Sequence, residues 1–288
     1  MSLDTQTFGV SRHWLTTAIK NIPGAPEVFR KSKQLNHGRK LFLAGANQLP
    51  AIQNWLLAGG IIERDGNKVK LTELGQLMAA QDSRAESALT WWLFHLHLCI
   101  NPDAFPYSAF FLLYDSEGRW LSEADIVDCL AKHADEKQLN ISKKTVDTYF
   151  SGVAQTFLNG GFVHELGLIE QRVLGDGRAS RRVRRRLGRP DDTLVAYAAV
   201  LFQKQFYPGQ ATVEAREILG KGLSRVLGIR DSDVRDSLSR ITTNKELSQH
   251  VQYRQQVNLD SIQFLRPAEA ALREIRTSGY RSQAVKWQ

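Results

Sequence analysis

Eight arginines crowd into residues 171–189, QRVLGDGRASRRVRRRLGR, at positions 172, 178, 181, 182, 184, 185, 186 and 189, against a single acid, Asp176. That stretch carries a net +7 of the whole chain's +8, so the positive surplus is one patch and not a general bias. None of the eight is lysine. A planar guanidinium presents a rigid fork of donors that matches phosphate oxygens, whereas an ammonium is a hydrated point charge. The chemistry implied is recognition of a polyanion, with nucleic acid the first candidate. A basic surface loop and a docking site for an acidic protein are the competing readings.

Other residues add to or compete with this patch. Ser142-Lys143-Lys144-Thr145 would place hydroxyl and basic groups in the first turn of a helix, where free backbone amides also favour phosphate. The plain alternative is an ordinary capped helix. Asn47, Gln48, Gln53 and Asn54 lie on or beside another helix, and such amides can pair bidentately with adenine in a major groove. The candidate DNA-binding set is therefore Arg178, Arg181, Arg182, Arg184, Arg185, Arg186, Ser142, Lys143, Lys144, Thr145, Asn47, Gln48 and Gln53.

His95-Leu96-His97-Leu98-Cys99 has metal-ligating types, but on a helix 95 and 99 share a face while 97 points away. A hydrogen-bonded core histidine is the competing reading. Asp233 and Asp236 would stand about one helical turn apart, and a nuclease needs carboxylates to hold a divalent ion. Asp is equally at home capping a helix start, which competes with that reading. Gly220-Lys221-Gly222 lacks the strand, glycine spacing and Lys-Ser/Thr pair of a phosphate loop. Neither a serine nucleophile elbow nor a dinucleotide fingerprint is present.

These residues need elements to hold them. In LAGANQLPAIQNWLLAGG the apolar positions Leu49, Ile52, Trp55 and Leu56 recur at helical spacing, and Gly59-Gly60 ends the helix. Two short strands, IIER and KVKL, flank Asp65-Gly66-Asn67, a strong hairpin signal. Thr72 then caps LTELGQLM. Helix, hairpin and adjoining helix is the order of a winged-helix domain, a helix-turn-helix variant. The run from Leu89 to Ile100 is apolar on every side, as a fully buried helix is.

The scheme recurs after Trp120. Ser122 with Asp125 forms a capping box before Ile126, Val127, Leu130 and Ala134. Ser142 caps a second helix with a stripe of Val146, Tyr149, Phe150, Val153 and Phe157. LGLIEQRVL and SRRVRRRL then read as strands around Gly175-Asp176-Gly177, which puts the arginine patch on a long wing beside a groove or phosphate backbone. From Asp191 onward the chain reads as helical, with Asp191 or Asp192 capping LVAYAAVLF, an amphipathic stretch from Asp231 to Ile241, and Pro267 opening a last helix through Ile275. The expected architecture is mainly α with small β hairpins. It comprises an N-terminal winged-helix-like domain over 1–118, a second winged-helix module with the Arg-rich wing over 119–190, and a helical C-terminal part over 191–288.

The chain has 288 residues, of which 42% are hydrophobic and 24% charged, ordinary values for a globular protein. Its two cysteines, Cys99 and Cys129, cannot build a disulfide framework or a cysteine-based zinc finger. The N-terminus has no basic region followed by an apolar stretch, and the most apolar run is too short for a bilayer. A cytoplasmic protein without a membrane partner is the expectation.

The run ALTWWLFHLHLCINPDAFPYSAFFLLYD, followed by LSEADIVDCLAKHADEK and ISKKTVDTYFSGVAQTF, resembles the SspB-type family of bacterial DNA phosphorothioation and phage-defence loci, first catalogued as a domain of unknown function. FGVSRHWLTTAIK, GANQLPAIQNWLLAGGIIE with LTELGQLM, ELGLIE, and RPDDTLVAYAAVLF with LSRVLGIRDSDVRDSL extend the resemblance over most of the chain. It implies a DNA-binding component that nicks DNA upstream of sulfur incorporation, with a cysteine desulfurase and ATPase subunits as partners. A nickase would call for Mg2+ or Mn2+. The family offers no motif that assigns catalytic residues here. Two other readings stay open: a non-catalytic winged-helix DNA-binding subunit or transcriptional regulator, and an interaction protein whose arginines dock an acidic partner. The first winged helix has no Lys or Arg between Leu43 and Ile62, and Pro50 limits where its helix can begin. That shifts the expected phosphate grip to the second wing.

Overall fold

The computed structural model describes residues 3–30, 35–113, 119–173, 181–188, 190–257 and 259–285. It is mainly helical with three small antiparallel sheets. The described residues divide into two compact units, the first within 1–110 and 116–186 and the second within 111–115 and 187–288.

The first unit begins with α1 (Arg12–Asn21), α2 (Leu35–Phe42) and α3 (Gln48–Ala58). Pro50 sits in the first turn of α3, where its missing N–H costs nothing. Leu49, Ile52, Trp55 and Leu56 are all buried, as their spacing predicts. Gly59 ends the helix and does more. A Cβ there would lie 2.0 Å from the Phe94 ring, so the close approach of two elements demands glycine. Strands β1 (Ile62–Asp65) and β2 (Lys68–Leu71) pair from Ile62↔Leu71 to Asp65↔Lys68, leaving Gly66-Asn67 as the turn. Thr72 caps α4 (Glu73–Gln81), its hydroxyl accepting from the Gly75 amide.

Helix α5 (Ala88–Ile100) runs through the unit's core, buried from Leu89 to Leu96 and again at Leu98 and Cys99. Its ring contacts explain why the first two sequence segments fold as one body. Trp91 stacks on Phe162 at 5.3 Å between centroids, and Phe94 meets the same ring edge-on at 5.5 Å. Helix α6 (Tyr107–Leu113) follows.

Next come β3 (Leu121–Ser122), α7 (Glu123–Glu136), α8 (Lys143–Gln155), α9 (Phe162–Glu165), β4 (Ile169–Val173) and β5 (Arg181–Arg185). The Ser122–Asp125 capping box forms in full, and Ser142 caps α8. Val146, Phe150, Val153 and Phe157 are fully buried. The three strands pair in the order β3-β5-β4, so the first lies against the last.

In the second unit, Asp191 caps α10 (Asp192–Phe206), which is buried continuously from Leu194 to Gln203. Strand β6 (Thr212–Glu214), α11 (Ala215–Gly220), α12 (Leu223–Leu227), α13 (Asp231–Thr243), β7 (Val251–Gln256), β8 (Leu259–Phe264) and α14 (Ala268–Val285) complete it. The C-terminal part, expected to be helical, therefore contains a three-stranded sheet of order β6-β8-β7. Its strands escape a periodicity reading because Ser261 and Ile262 are both buried in succession and glutamines fill much of β7. This order repeats that of the arginine-bearing segment: strand, helices, then a hairpin whose last strand pairs with the first. Helix α14 starts directly after Pro267 but continues past Ile275 to Val285. Among the described residues no helix is long and apolar enough to cross a membrane.

Candidate nucleic-acid interface

Pairing of β4 with β5 assigns a face to each arginine. The register sets Arg172 opposite Arg182, Gln171 opposite Val183, Glu170 opposite Arg184 and Ile169 opposite Arg185. Side chains alternate along a strand, so Arg181, Val183 and Arg185 share one face of β5 and Arg182 and Arg184 share the other. Val183 and Ile169 are buried, which makes theirs the inner face.

The inner arginines are engaged by the fold. Arg181 Nη1 lies 3.5 Å from Glu123 Oε1, whose side chain is 6% exposed. Arg185 sits near enough to the buried Cys99 thiol and Tyr107 hydroxyl to pull their pKa values down against burial, which pushes both well up. A thiol in that setting is protonated and unreactive. Tyr107 is hydrogen-bonded at 2.7 Å to Nδ1 of His95, a wholly buried imidazole, and the Cys99 sulfur lies 3.6 Å from His95 Nε2. His97 is turned elsewhere, against Gly60.

The outer face is built differently. Trp120, just before β3, is half-buried, and both Arg172 and Arg184 lie over its ring, with Cζ atoms 4.2 and 4.7 Å from the centroid. Arg184 also donates to Glu170 Oε2 at 2.6 Å. That bond holds the Glu170 carboxyl below its usual range, with the neighbouring arginines adding to the effect. Arg182 lies within electrostatic reach of Asp125, whose carboxyl is lowered chiefly by its hydrogen bonds from Ser122. Arg186 is exposed. Arg178 lies outside the described residues.

At the start of α8 the Ser142 hydroxyl is used for capping, accepting from the Thr145 amide at 3.2 Å. Thr145 Oγ1 is 2.9 Å from the Ser142 hydroxyl. Lys143 pairs with Asp128 of α7. Lys144 is exposed and makes no ion pair among the described residues. Asp125 and Asp128 are three positions apart on α7, so one helix sets a carboxylate near Arg182 and another against Lys143.

The amides of α3 separate in the same way. Gln48 Oε1 accepts from the Gly45 amide at 2.7 Å, and Asn54 donates to the Asp4 carbonyl at 2.9 Å. Asn47 is exposed and Gln53 half-buried. Sequence reasoning missed Trp120 and strand β3. It also treated the arginines as one set, although Val183 within RRVRRR marks the inner face by its apolar side chain.

Of the two candidate carboxylates on α13, Asp233 has a capping role. Asp233 accepts from the Arg230 amide at 3.1 Å, closing the helix start. Among the described residues no three His, Cys, Asp or Glu side chains are gathered in one place, and no chemical step is assigned to a metal ion.

The family profile described as "Protein of unknown function (DUF4007)" matches residues 4–280. The chain belongs to the DUF4007 family. No curated protein sequence matches it. In fold, this DUF4007 chain is similar to the magnesium ion-bound SspB crystal structure, with a TM-score of 0.76 at 19% identity over 96% of this chain and 87% of that one. A second SspB crystal structure gives a TM-score of 0.75 at the same identity and coverage. The SspB-type resemblance of the sequence thus extends to the fold of the DUF4007 chain as a whole.

Proposed function

We propose that this DUF4007 protein binds DNA as a component of a bacterial phosphorothioation defence system, gripping the phosphate backbone with the outer face of the β4–β5 hairpin. The observation that carries this reading is the outer row of Arg172, Arg182 and Arg184, two of which are stacked on Trp120. On one strand, Arg182 and Arg184 stand about 6.8 Å apart, equal to about two nucleotides of axial rise in one DNA strand. Arg186, exposed and within electrostatic reach of Glu170, extends the same basic face, and α8, with the exposed Lys144 in its first turn, serves as the recognition helix.

The strand and helix order supports a winged-helix assignment for three segments: α3 to α4, β3 to β5, and β6 to β8. The similarity to SspB supports the pathway, with a cysteine desulfurase and ATPase subunits as the expected partners. Binding is tested by fluorescence anisotropy of a short labelled duplex over a salt series. Replacing Arg172, Arg182 and Arg184 with Ala should reduce the salt slope by about 2.7 log units per decade, at about 0.9 for each phosphate no longer neutralised. An unchanged slope rejects the hairpin as the interface.

A second reading, strand nicking, is favoured by one comparison, the magnesium ion-bound state of an SspB structure. Supercoiled plasmid with Mg2+ or Mn2+ decides it, since open-circular product is expected only from a nickase.

A further inference from the structure

We infer that Trp120 is a positioning residue for phosphate, its indole holding Arg172 and Arg184 as a preformed pair for the phosphodiester backbone; this rests on the DNA-binding reading above. The two arginines come from different strands and are diagonal neighbours, since Arg172 faces Arg182 while Arg184 faces Glu170. Free in solution, two long cationic side chains would spread apart and sample many rotamers. Over one ring, at 4.2 and 4.7 Å, each guanidinium is attracted by the electron-rich face, and neither needs to be ordered when a phosphate arrives.

The charge pattern points the same way. Glu170 is hydrogen-bonded to Arg184 and reaches Arg172 through space only, so a single carboxylate faces both members of the pair. Two cations with one counter-charge on an exposed sheet face leave an excess positive charge that a phosphodiester oxygen would neutralise. Stacking leaves guanidinium N–H groups at the ring's edge directed outward, so the same arginine can rest on the indole and donate to phosphate. Trp120 contributes no charge itself, so its role is separable from that of the arginines.

The test compares Trp120→Leu with Trp120→Phe in the full chain, using the labelled duplex and the salt series. Leucine keeps apolar bulk without a π face, and should lower affinity at fixed salt about tenfold, the cost of ordering two arginines at binding. Its salt slope should stay that of the unaltered protein, because both charges remain. Phenylalanine should restore most of the affinity. Thermal midpoints and far-UV circular dichroism are recorded for both variants. Leucine binding as tightly as the original, while the triple arginine variant is impaired, overturns the positioning role and leaves the DNA reading intact. Equal weakening by Leu and Phe with matching losses of stability also overturns it, because it reduces Trp120 to packing. If the triple arginine variant binds normally, the DNA reading falls and this inference falls with it.

Discussion

Arg181 and Glu123 form an ion pair at 3.5 Å on the inner face of the arginine hairpin, tying β5 to the first residue of α7. The Glu123 side chain is 6% exposed and that of Arg181 28%, so the carboxylate is the more desolvated partner. Removing its cation takes one partner from a desolvated carboxylate, which costs more than a surface pair contributes. Arg181→Ala should therefore destabilise the protein by about 2 kcal/mol in urea denaturation, and Glu123→Gln in the same background should recover part of the loss. The salt slope of DNA binding should not change for either variant. A reduced slope for Arg181→Ala would place this arginine on the DNA and contradict the inner-face assignment.

Glu170 is the counter-charge on the other side of the sheet. Its carboxylate accepts from Arg184 at 2.6 Å, while the indole of Trp120 holds the same guanidinium from another direction. A phosphate approaching Arg184 must compete with this carboxylate and meets its repulsion. Glu170→Gln keeps the shape, removes the charge and leaves the stack in place, so DNA affinity should rise about threefold at low salt and converge with the original protein at high salt. Weaker binding by this variant would mean that Glu170 is needed to aim Arg184.

The division of the arginines was legible in the sequence, though only through one residue. Within RRVRRR, Val183 is the sole apolar position, and the two-residue period of a strand carries Arg181 and Arg185 to its side. Caps and turns were readable because their chemistry is local: Thr72, Ser122, Ser142 and Asp191 each accept from a backbone amide within three residues. Trp120 was not readable, since its partners lie 52 and 64 positions along the chain and no periodicity connects them. The C-terminal sheet was missed because β6 has three residues and β7 is rich in glutamine, so its pairing depends on β8 and not on any pattern of its own.

Gly59 was readable as a helix stop, but its larger role is the close approach to α5. Its φ is −79°, which any residue adopts, so the constraint is steric and not conformational. A Cβ would meet three atoms of the Phe94 ring at 2.0 to 2.8 Å. Gly59→Ala should cost about 2 kcal/mol through overpacking, read as a shift in the urea midpoint. Phe94→Leu added to it should recover part of that loss, although Phe94→Leu alone thins the packing of the core and is destabilising. Additive losses in the double variant would show that the ring is not what excludes the methyl group.

His250 gives the second unit an acid sensitivity whose sign follows from burial. The imidazole is 7% exposed, its Nδ1 has no hydrogen-bond partner among the described residues, and its Nε2 lies 3.7 Å from Glu274. Desolvation lowers its pKa; Glu274 opposes that shift and Arg266, which is itself paired with Glu274, reinforces it. A histidine whose folded pKa is depressed takes up its proton more readily in the unfolded chain. Stability is therefore full above the unfolded value near 6.5 and falls as pH drops from there toward the lowered folded value. His133 on α7 is shifted in the same direction, also mainly by burial, and adds a slope in the first unit. Urea midpoints measured at about pH 7.5 and about pH 5 should show this decline, and His250→Asn should flatten it in part while leaving the His133 contribution. A decline that is identical with and without His250 would assign the acid sensitivity to other groups, and a decline that steepens in the variant would reverse the sign argued here.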